Sequence, residues 1–406
     1  MEILFKKENL FIRIAIGFAI GVILGFAAPG FSIATKVVGE IYLNLIKMLV
    51  IPVLVCAVLS GITGSGNISG LRRIGLKAIG LYVIMFLASF AVSFGVASII
   101  RPGSGISFEN PPVYEGEVGG PVSFSDVLRG FFPDNIIEAM STNNILPTLL
   151  FSVILGIAIV AIGDKGRPVK EFIDSLTEAM FYVLSMIMET SPIGVMSLIA
   201  YSVAEFGAGV FMAIGKYVLC CWLACIAVFF IVFFIPSVTI GGADPKTYLR
   251  ASGKIALMTM STTSSAATLP TTLKVSTEDL GVPEYIANFT LPLGCTVNMC
   301  GGACSFCCLA VFVNEFYGLG MPLSRFVMMA VVATLINMAA PGIPGGGIVL
   351  MTSFLTIFGL PVDLIGPIAA FYRLLDMAFT TINVSGDVAA NLIIAKTESK
   401  VIKSHG

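Results

Sequence analysis

The chain has 406 residues, of which 57% are hydrophobic and 12% charged, and its formal net charge is −1. Soluble domains carry about 25% charged residues, so this composition, with a mean hydropathy of +0.98, is that of an integral membrane protein. No basic patch or recognition motif for nucleic acid appears, so no nucleic-acid partner is expected, and the single histidine, His405 in the polar tail, argues against histidine-based catalysis or metal binding.

Lys6, Lys7 and Arg13 flank an apolar run at about 10–29 that is too long for a signal-peptide core and reads as a retained first helix. Further spans follow at about 41–63, 76–100, 145–162, 171–200, 211–237, 284–314 and 362–395. Several exceed the roughly 20 residues that a bilayer requires, which predicts tilted or broken helices. Two more apolar segments, 247–274 and 322–357, are interrupted at 261–270 and 339–347.

Basic residues cluster at Arg72, Arg73 and Lys77, at Lys165, Arg167 and Lys170, at Lys246, Arg250 and Lys254, and at Lys396, Lys400 and Lys403. The connections between them are acid-rich, above all 102–140 with Glu109, Glu115, Glu117, Asp126, Asp134 and Glu138. The positive-inside rule then places both termini in the cytoplasm. Eight spans fit only if the two interrupted segments return to the side they entered from, as re-entrant hairpins of opposite orientation. The predicted fold class is an all-α multi-pass membrane protein with eight transmembrane helices and two such hairpins.

The arrangement contains a repeat. A hairpin tip followed by a helix with a mid-membrane Asn occurs as Ser264 to Asn298 and as Gly345 to Asn383, at spacings of 34 and 38. Broken segments in corresponding positions of inverted halves point to a binding site at the bilayer midplane. Their helix N-termini suit a carboxylate, and their free carbonyls suit a hard cation such as sodium.

The last span carries Asp376, Thr380, Asn383 and Asp387 at i, i+4, i+7 and i+11, one face of a helix. They spread over about 16 Å of axis. A carboxylate at a membrane-helix centre costs roughly 2.5–3.5 kcal/mol on insertion scales, so two need ligands or partners. The stripe reads as a binding pathway. Cys300, Cys304, Cys307 and Cys308 also share a helix face. Thiolates bind soft metals, but Cys is among the commonest small buried residues, and packing is the better reading. The nine cysteines, an odd number in or beside apolar segments, read as reduced thiols. Lys47 and Glu189 are isolated ionisable residues read as packing, snorkelling or interfacial groups. The glycine pairs 301–302 and 346–347 allow close backbone approach and are not a phosphate loop. No Ser/His/Asp or Cys/His arrangement is available inside the membrane, so the chain does not read as an enzyme.

From about residue 10 to 398 the sequence resembles the dicarboxylate/amino acid:cation symporters, the glutamate-transporter fold. The resemblance rests on the runs 45–52 (LIKMLVIP), 144–147 (NILP), 191–194 (SPIG), 268–270 (TLP), 291–294 (LPLG), Asn298-Met299, 342–345 (GIPG) and 383–387 (NVSGD), in the family's order. It implies a homotrimer that moves a small solute by an elevator motion. A scaffold of 1–75 and 141–205 would stay fixed, the third helix at 76–101 and the region 206–398 would travel, 102–140 would be extracytoplasmic and 399–406 a cytoplasmic tail. It also implies that Asp376 pairs with a substrate amino group. Thr380, Asn383 and the first hairpin tip at Thr263, Ser264 and Ser265 would hold the α-carboxylate. Met299 and Gly302 would line the pocket, and Ile343 and Gly347 would form a lid. One sodium would sit at Gly294, Asn298, Asn383 and Asp387, another at Thr296 and the carbonyls of Asn337, Met338 and Ala340.

The departures from the family pattern set the specificity. Acidic-substrate members carry an Arg three residues after the amine-binding Asp, where this chain has Phe379, and a supporting Asp one turn before it, where this chain has Tyr372. C4-dicarboxylate carriers lack the Asp that Asp376 retains. Arg373 points about 60° away from Asp376 on a helical wheel and reads as structural. The family's sodium-binding carboxylate after Asn-Met is here Cys300, and its hydroxyl partners in the third span are Met85 and Phe86, so that sodium site is predicted absent. The expectation is a sodium-coupled symporter of a neutral amino acid in the cytoplasmic (inner) membrane. Proton coupling to amino acids or related small carboxylates is the alternative, and an anion channel or transport-dead sensor is a more distant one.

Overall fold

The computed structural model describes residues 10–64, 68–105, 129, 132–142, 144–337, 346–362 and 364–404, and among them every regular element is helical. The first half comprises α1 (Leu10–Ala27), α2 (Pro29–Ala34), α3 (Lys36–Gly64), α4 (Ile68–Ile100), α5 (Ile136–Ser141), α6 (Ile145–Ala161), α7 (Arg167–Glu189), α8 (Ser191–Val228) and α9 (Ile235–Thr239). A π-helical segment, Phe229–Phe234, joins α8 to α9. The second half comprises α10 (Pro245–Thr262), α11 (Ser265–Lys274), α12 (Glu284–Val297), α13 (Cys300–Phe316), α14 (Leu323–Asn337), α15 (Gly346–Ile357) and α16 (Ile365–Ser404).

By length and apolar composition, four segments among the described residues can span a bilayer alone: Arg73–Ile100, Met212–Thr239, Glu284–Phe316 and Phe371–Glu398. The expected spans at 10–29, 41–63, 76–100 and 145–162 each fall largely on a single helix, α1, α3, α4 and α6. The run at 171–200 is two helices, α7 and the start of α8, meeting near Thr190 at a bend of 51°. Pro192 lies in the first turn of the new helix, where its fixed φ and missing N–H are tolerated. Glu189, at this break, accepts from Arg13 of α1 at 2.8 Å, so an apparently isolated carboxylate is paired across the bend. Within α8, Gly207 (φ 70°, ψ −171°) interrupts the helix in a conformation that a side chain would strain.

Burial separates centre from periphery. In the most apolar windows of Glu284–Phe316 and Phe371–Glu398, 83% is buried, against 33% in Arg73–Ile100 and 39% in Met212–Thr239. So α12, α13 and α16 form the core, and α4 and α8 surround it. Ile84, Ile99, Met212, Leu219 and Ile231 point outward from the surrounding helices, an apolar face that lipid solvates without cost.

Two interrupted pairs pack against this core. In the first, Asp244 caps α10 by accepting the Thr247 amide at 2.8 Å, and this contact with the Thr247 backbone holds the Asp244 carboxyl below the usual carboxylate range. Helix α10 ends at Thr263, a left-handed residue (φ 48°, ψ 37°), and Ser264 turns the chain and caps α11 through the Ala267 amide at 3.2 Å. The break is thus two residues long, shorter than the predicted 261–270, and Pro270 lies inside α11. The second pair is α14 and α15, and its tip at 338–345 lies outside the described residues. The seventh expected span, 284–314, is itself broken at Asn298 and Met299 (φ −93° and −115°), whereas α16 runs unbroken through Asn383.

Candidate functional site

The breaks converge on one face of α16. A cavity of about 50 Å³ lies there, lined by Thr263, Ser265, Met299, Gly302, Ser305, Phe306, Asn337, Gly347, Leu350, Tyr372, Asp376, Phe379, Thr380 and Asn383. The first turns of α11, α13 and α15 contribute Ser265, Gly302 and Gly347, so three positive helix ends face one small space. Such an arrangement binds a carboxylate through backbone amides and dipoles.

Glycine at these ends is required by contact. A Cβ on Gly302 would fall on the Asn337 carboxamide oxygen, and one on Gly347 would fall on the Tyr372 hydroxyl, with Tyr372 Cζ at 2.8 Å. The close-approach reading of both glycine pairs holds at these positions. Asn383 fixes the α13 end: its Oδ1 accepts from the Gly301 amide at 2.7 Å, and its Nδ2 donates to Met299 Sδ at 3.2 Å. Asp376 is 7% exposed, and the Tyr372 hydroxyl donates toward its Oδ1 at 3.5 Å. Phe379 is buried beside it.

Of the predicted substrate residues, Thr263, Ser265, Met299, Gly302, Gly347, Asp376, Phe379, Thr380 and Asn383 come together around this cavity. Ser264 does not line it, because its hydroxyl is spent on capping α11. Ile343 lies outside the described residues. Ser305, Phe306 and Leu350 line the cavity without having been singled out, since isolated apolar or small residues in an apolar helix carry no signal of which face they occupy. Arg373 is turned away from the main cavity, as its spacing predicts. Its guanidinium donates to Thr263 Oγ1 and, at 3.5 Å, to the Ser261 carbonyl, holding the first hairpin tip.

About three turns along α16, Gly294, Asn298, Asn383 and Asp387 form a second cluster. Asn298 Nδ2 donates to Asp387 Oδ1 at 2.9 Å and to the Asn383 carbonyl at 3.3 Å, and a Cβ on Gly294 would meet Asp387 Oδ1. Asp387 is 1% exposed, and its Oδ2 has no hydrogen-bond partner. A buried carboxylate oxygen left in this way calls for a cation or a proton. The neighbouring oxygens are hard donors that suit sodium. Cys300 is fully buried and donates to Asn298 Oδ1 at 3.0 Å, while Met85 and Phe86 are buried in the packing of α4. Of the other sodium set, the Thr296 hydroxyl donates to the Leu293 carbonyl at 3.0 Å and Asn337 Nδ2 to the Ala333 carbonyl at 3.0 Å, each within its own helix. Met338 and Ala340 lie outside the described residues. Among the described residues no group of three or more His, Cys, Asp and Glu is arranged to hold a metal, and the thiols of α8 and α13 pack together, Cys220 Sγ lying 3.9 Å from Cys308 Sγ.

Apolar spanning helices around a small polar cavity, with helix ends and one buried carboxylate at its wall, have the form of a membrane carrier of small solutes. The chain belongs to the sodium:dicarboxylate symporter family, whose model matches residues 10–397. It is 30% identical to a proton/sodium-glutamate symport protein of Geobacillus stearothermophilus, over 99% of this chain and 97% of that protein. It is 28% identical to a proton/glutamate-aspartate symporter of Bacillus subtilis, over 97% and 95%, and to a C4-dicarboxylate transport protein of Pseudomonas fluorescens, over 96% and 89%.

Proposed function

We propose that the chain is a secondary-active, sodium-coupled symporter of a neutral amino acid, working as a homotrimer by an elevator motion in the cytoplasmic membrane with both termini inside. The observation that carries the substrate reading is the charge of the cavity wall. Among the described residues it holds one carboxylate, Asp376, and no basic side chain, and Phe379 is buried beside that carboxylate. Asp376 faces a substrate ammonium. The ends of α11, α13 and α15 with Thr380 and Asn383 face its carboxylate, and the apolar wall of Met299, Phe306, Leu350 and Phe379 faces its side chain. Arg373 is bonded to Thr263 behind the wall and does not line this cavity, so a second carboxylate on the substrate would meet the apolar wall, which separates this reading from the glutamate and dicarboxylate carried by the named relatives.

Sodium is the proposed co-substrate at Asp387, Asn298, Asn383 and Gly294, supported by the unpartnered Asp387 Oδ2. The same atom supports one second reading, in which Asp387 carries a proton. The kink at Gly207, beside the expected scaffold boundary at 205, supports movement of 206–398 against the scaffold. The test is uptake of radiolabelled neutral amino acids into proteoliposomes under imposed gradients. Uptake driven by an inward sodium gradient at equal pH supports the proposal. Absence of uptake of every neutral amino acid, with glutamate or dicarboxylate transported, overturns the substrate reading. Uptake driven by a pH gradient without sodium overturns the coupling reading.

A further inference from the structure

Tyr372 has no part in the expected roles beyond marking a lost ion pair, yet it touches both sides of the site. It sits one helical turn before Asp376 on the same face of α16 and is 6% exposed. Its hydroxyl donates toward Asp376 Oδ1 at 3.5 Å. The same oxygen packs against Gly347 in the first turn of α15, so closely that a Cβ there would fall on it. One hydroxyl therefore stands between the carboxylate proposed for the substrate ammonium and the inner arm of the second interrupted pair.

We infer that Tyr372 is a positioning residue that couples substrate binding to the seating of α15, through a relay in which its hydroxyl packs on Gly347 and donates to the Asp376 carboxylate. The relay is chemically ordered. The phenol donates to the carboxylate, and its oxygen rests against Gly347. An ionised acceptor strengthens the hydrogen bond it receives, so Asp376 in its ionised state fixes the phenol against which the first turn of α15 seats. A substrate ammonium arriving at Asp376 keeps that carboxylate ionised and fixed in position, which stabilises α15 against the site. A substrate without an amino group leaves the relay unsupported. Tyr372 thereby makes closure over the cavity depend on the amine, and it does so at a position where the acidic-substrate relatives' pattern uses an acid for a different task.

The coupling of the relay to an amine rests on the neutral amino acid reading, so the test separates the two. Purified full-length protein in nanodiscs is followed by hydrogen–deuterium exchange over residues 346–357, without ligand and with sodium plus a neutral amino acid. Without ligand, Tyr372→Phe is expected to exchange about fivefold faster there than the wild type, the effect of one hydrogen bond. With substrate, wild-type exchange slows, and Tyr372→Phe shows a KM raised about fivefold with its maximal uptake rate kept within about twofold. Asp376→Asn, which preserves shape but weakens the acceptor, is expected to raise ligand-free exchange in the same segment. Ligand-free exchange that is the same in Tyr372→Phe, Asp376→Asn and wild type overturns the relay. Wild-type exchange that no neutral amino acid slows overturns the substrate reading and leaves the ligand-free comparison as the measure of the relay.

Discussion

The two carboxylates of α16 make a controlled comparison, being the same residue type on one helix eleven positions apart. Asp376 faces a cavity because three helices begin there and Gly302 and Gly347 leave no side chain in it. Asp387 faces packed matter. Asn298 and Gly294 press on its Oδ1, and Gly386 lies in turn against Asn298, where a Cβ would be 2.7 Å from Nδ2. Both are buried, but only the first has room for a molecule. In the reading proposed above, backbone breaks, more than side-chain charge, divide the substrate carboxylate from the coupling-ion carboxylate.

That division can be broken most directly at Asp387. In Asp387→Asn, sodium-driven accumulation in proteoliposomes should fall by about a hundredfold or more, because the charge that neutralises the ion is gone. The same variant should melt higher than wild type in sodium-free buffer, since a buried oxygen without a partner no longer bears charge. A lower melting temperature there would mean that the carboxylate is satisfied in the resting protein. At the other end, Asp376→Ala should reduce uptake of amine-bearing substrates about a hundredfold, the cost of losing a buried charged partner. Its sodium-dependent shift in melting temperature should stay within a degree or so of wild type, and loss of that shift would merge the two ends into one site.

Phe379→Arg should raise the ratio of aspartate to neutral amino acid uptake by about tenfold, one charge-assisted contact. The gain is limited because Tyr372 supplies no supporting acid, and an unchanged ratio in a folded variant would remove Phe379 from the side-chain pocket. Gly302→Ala should cost about 1–3 kcal/mol of overpacking against Asn337, read as a several-fold rise in substrate KM. The smallest effect is expected for Cys300→Ser. The hydroxyl keeps the donor to Asn298, so sodium affinity should change by less than about twofold. A larger change would make Cys300 part of the ion site.

How much was legible follows from where polarity is conspicuous. Asp376, Thr380, Asn383 and Asp387 stood out because a carboxylate or carboxamide in an apolar helix is expensive and needs a reason. Ser305, Phe306 and Leu350 did not, because nothing in a buried apolar helix marks the face that borders an empty space. The break at Thr190 was hidden for a related reason. The apolar run continues across it, and Pro192 in the first turn of the new helix is only a local signal. The first hairpin was predicted with a longer break because its Ser/Thr-rich run reads as irregular chain, yet those hydroxyls bond to the preceding turn of their own helices. Thr268, for example, donates to the Ser264 carbonyl at 2.8 Å.

The sequence by itself determined that the chain is a membrane protein, that the apolar segment 247–274 is interrupted, and that α16 carries a polar face. It also set the chemical departures, Phe379 in place of a cation and Cys300 in place of an acid. Composition and helical period are local, so they survive reading in one dimension. The tertiary structure alone decided which carboxylate has space, which glycine contacts forbid a side chain, and that Tyr372 touches Gly347 and Asp376 together. Those facts depend on distances between helices far apart in the chain, and close packing makes them specific to within one methyl group.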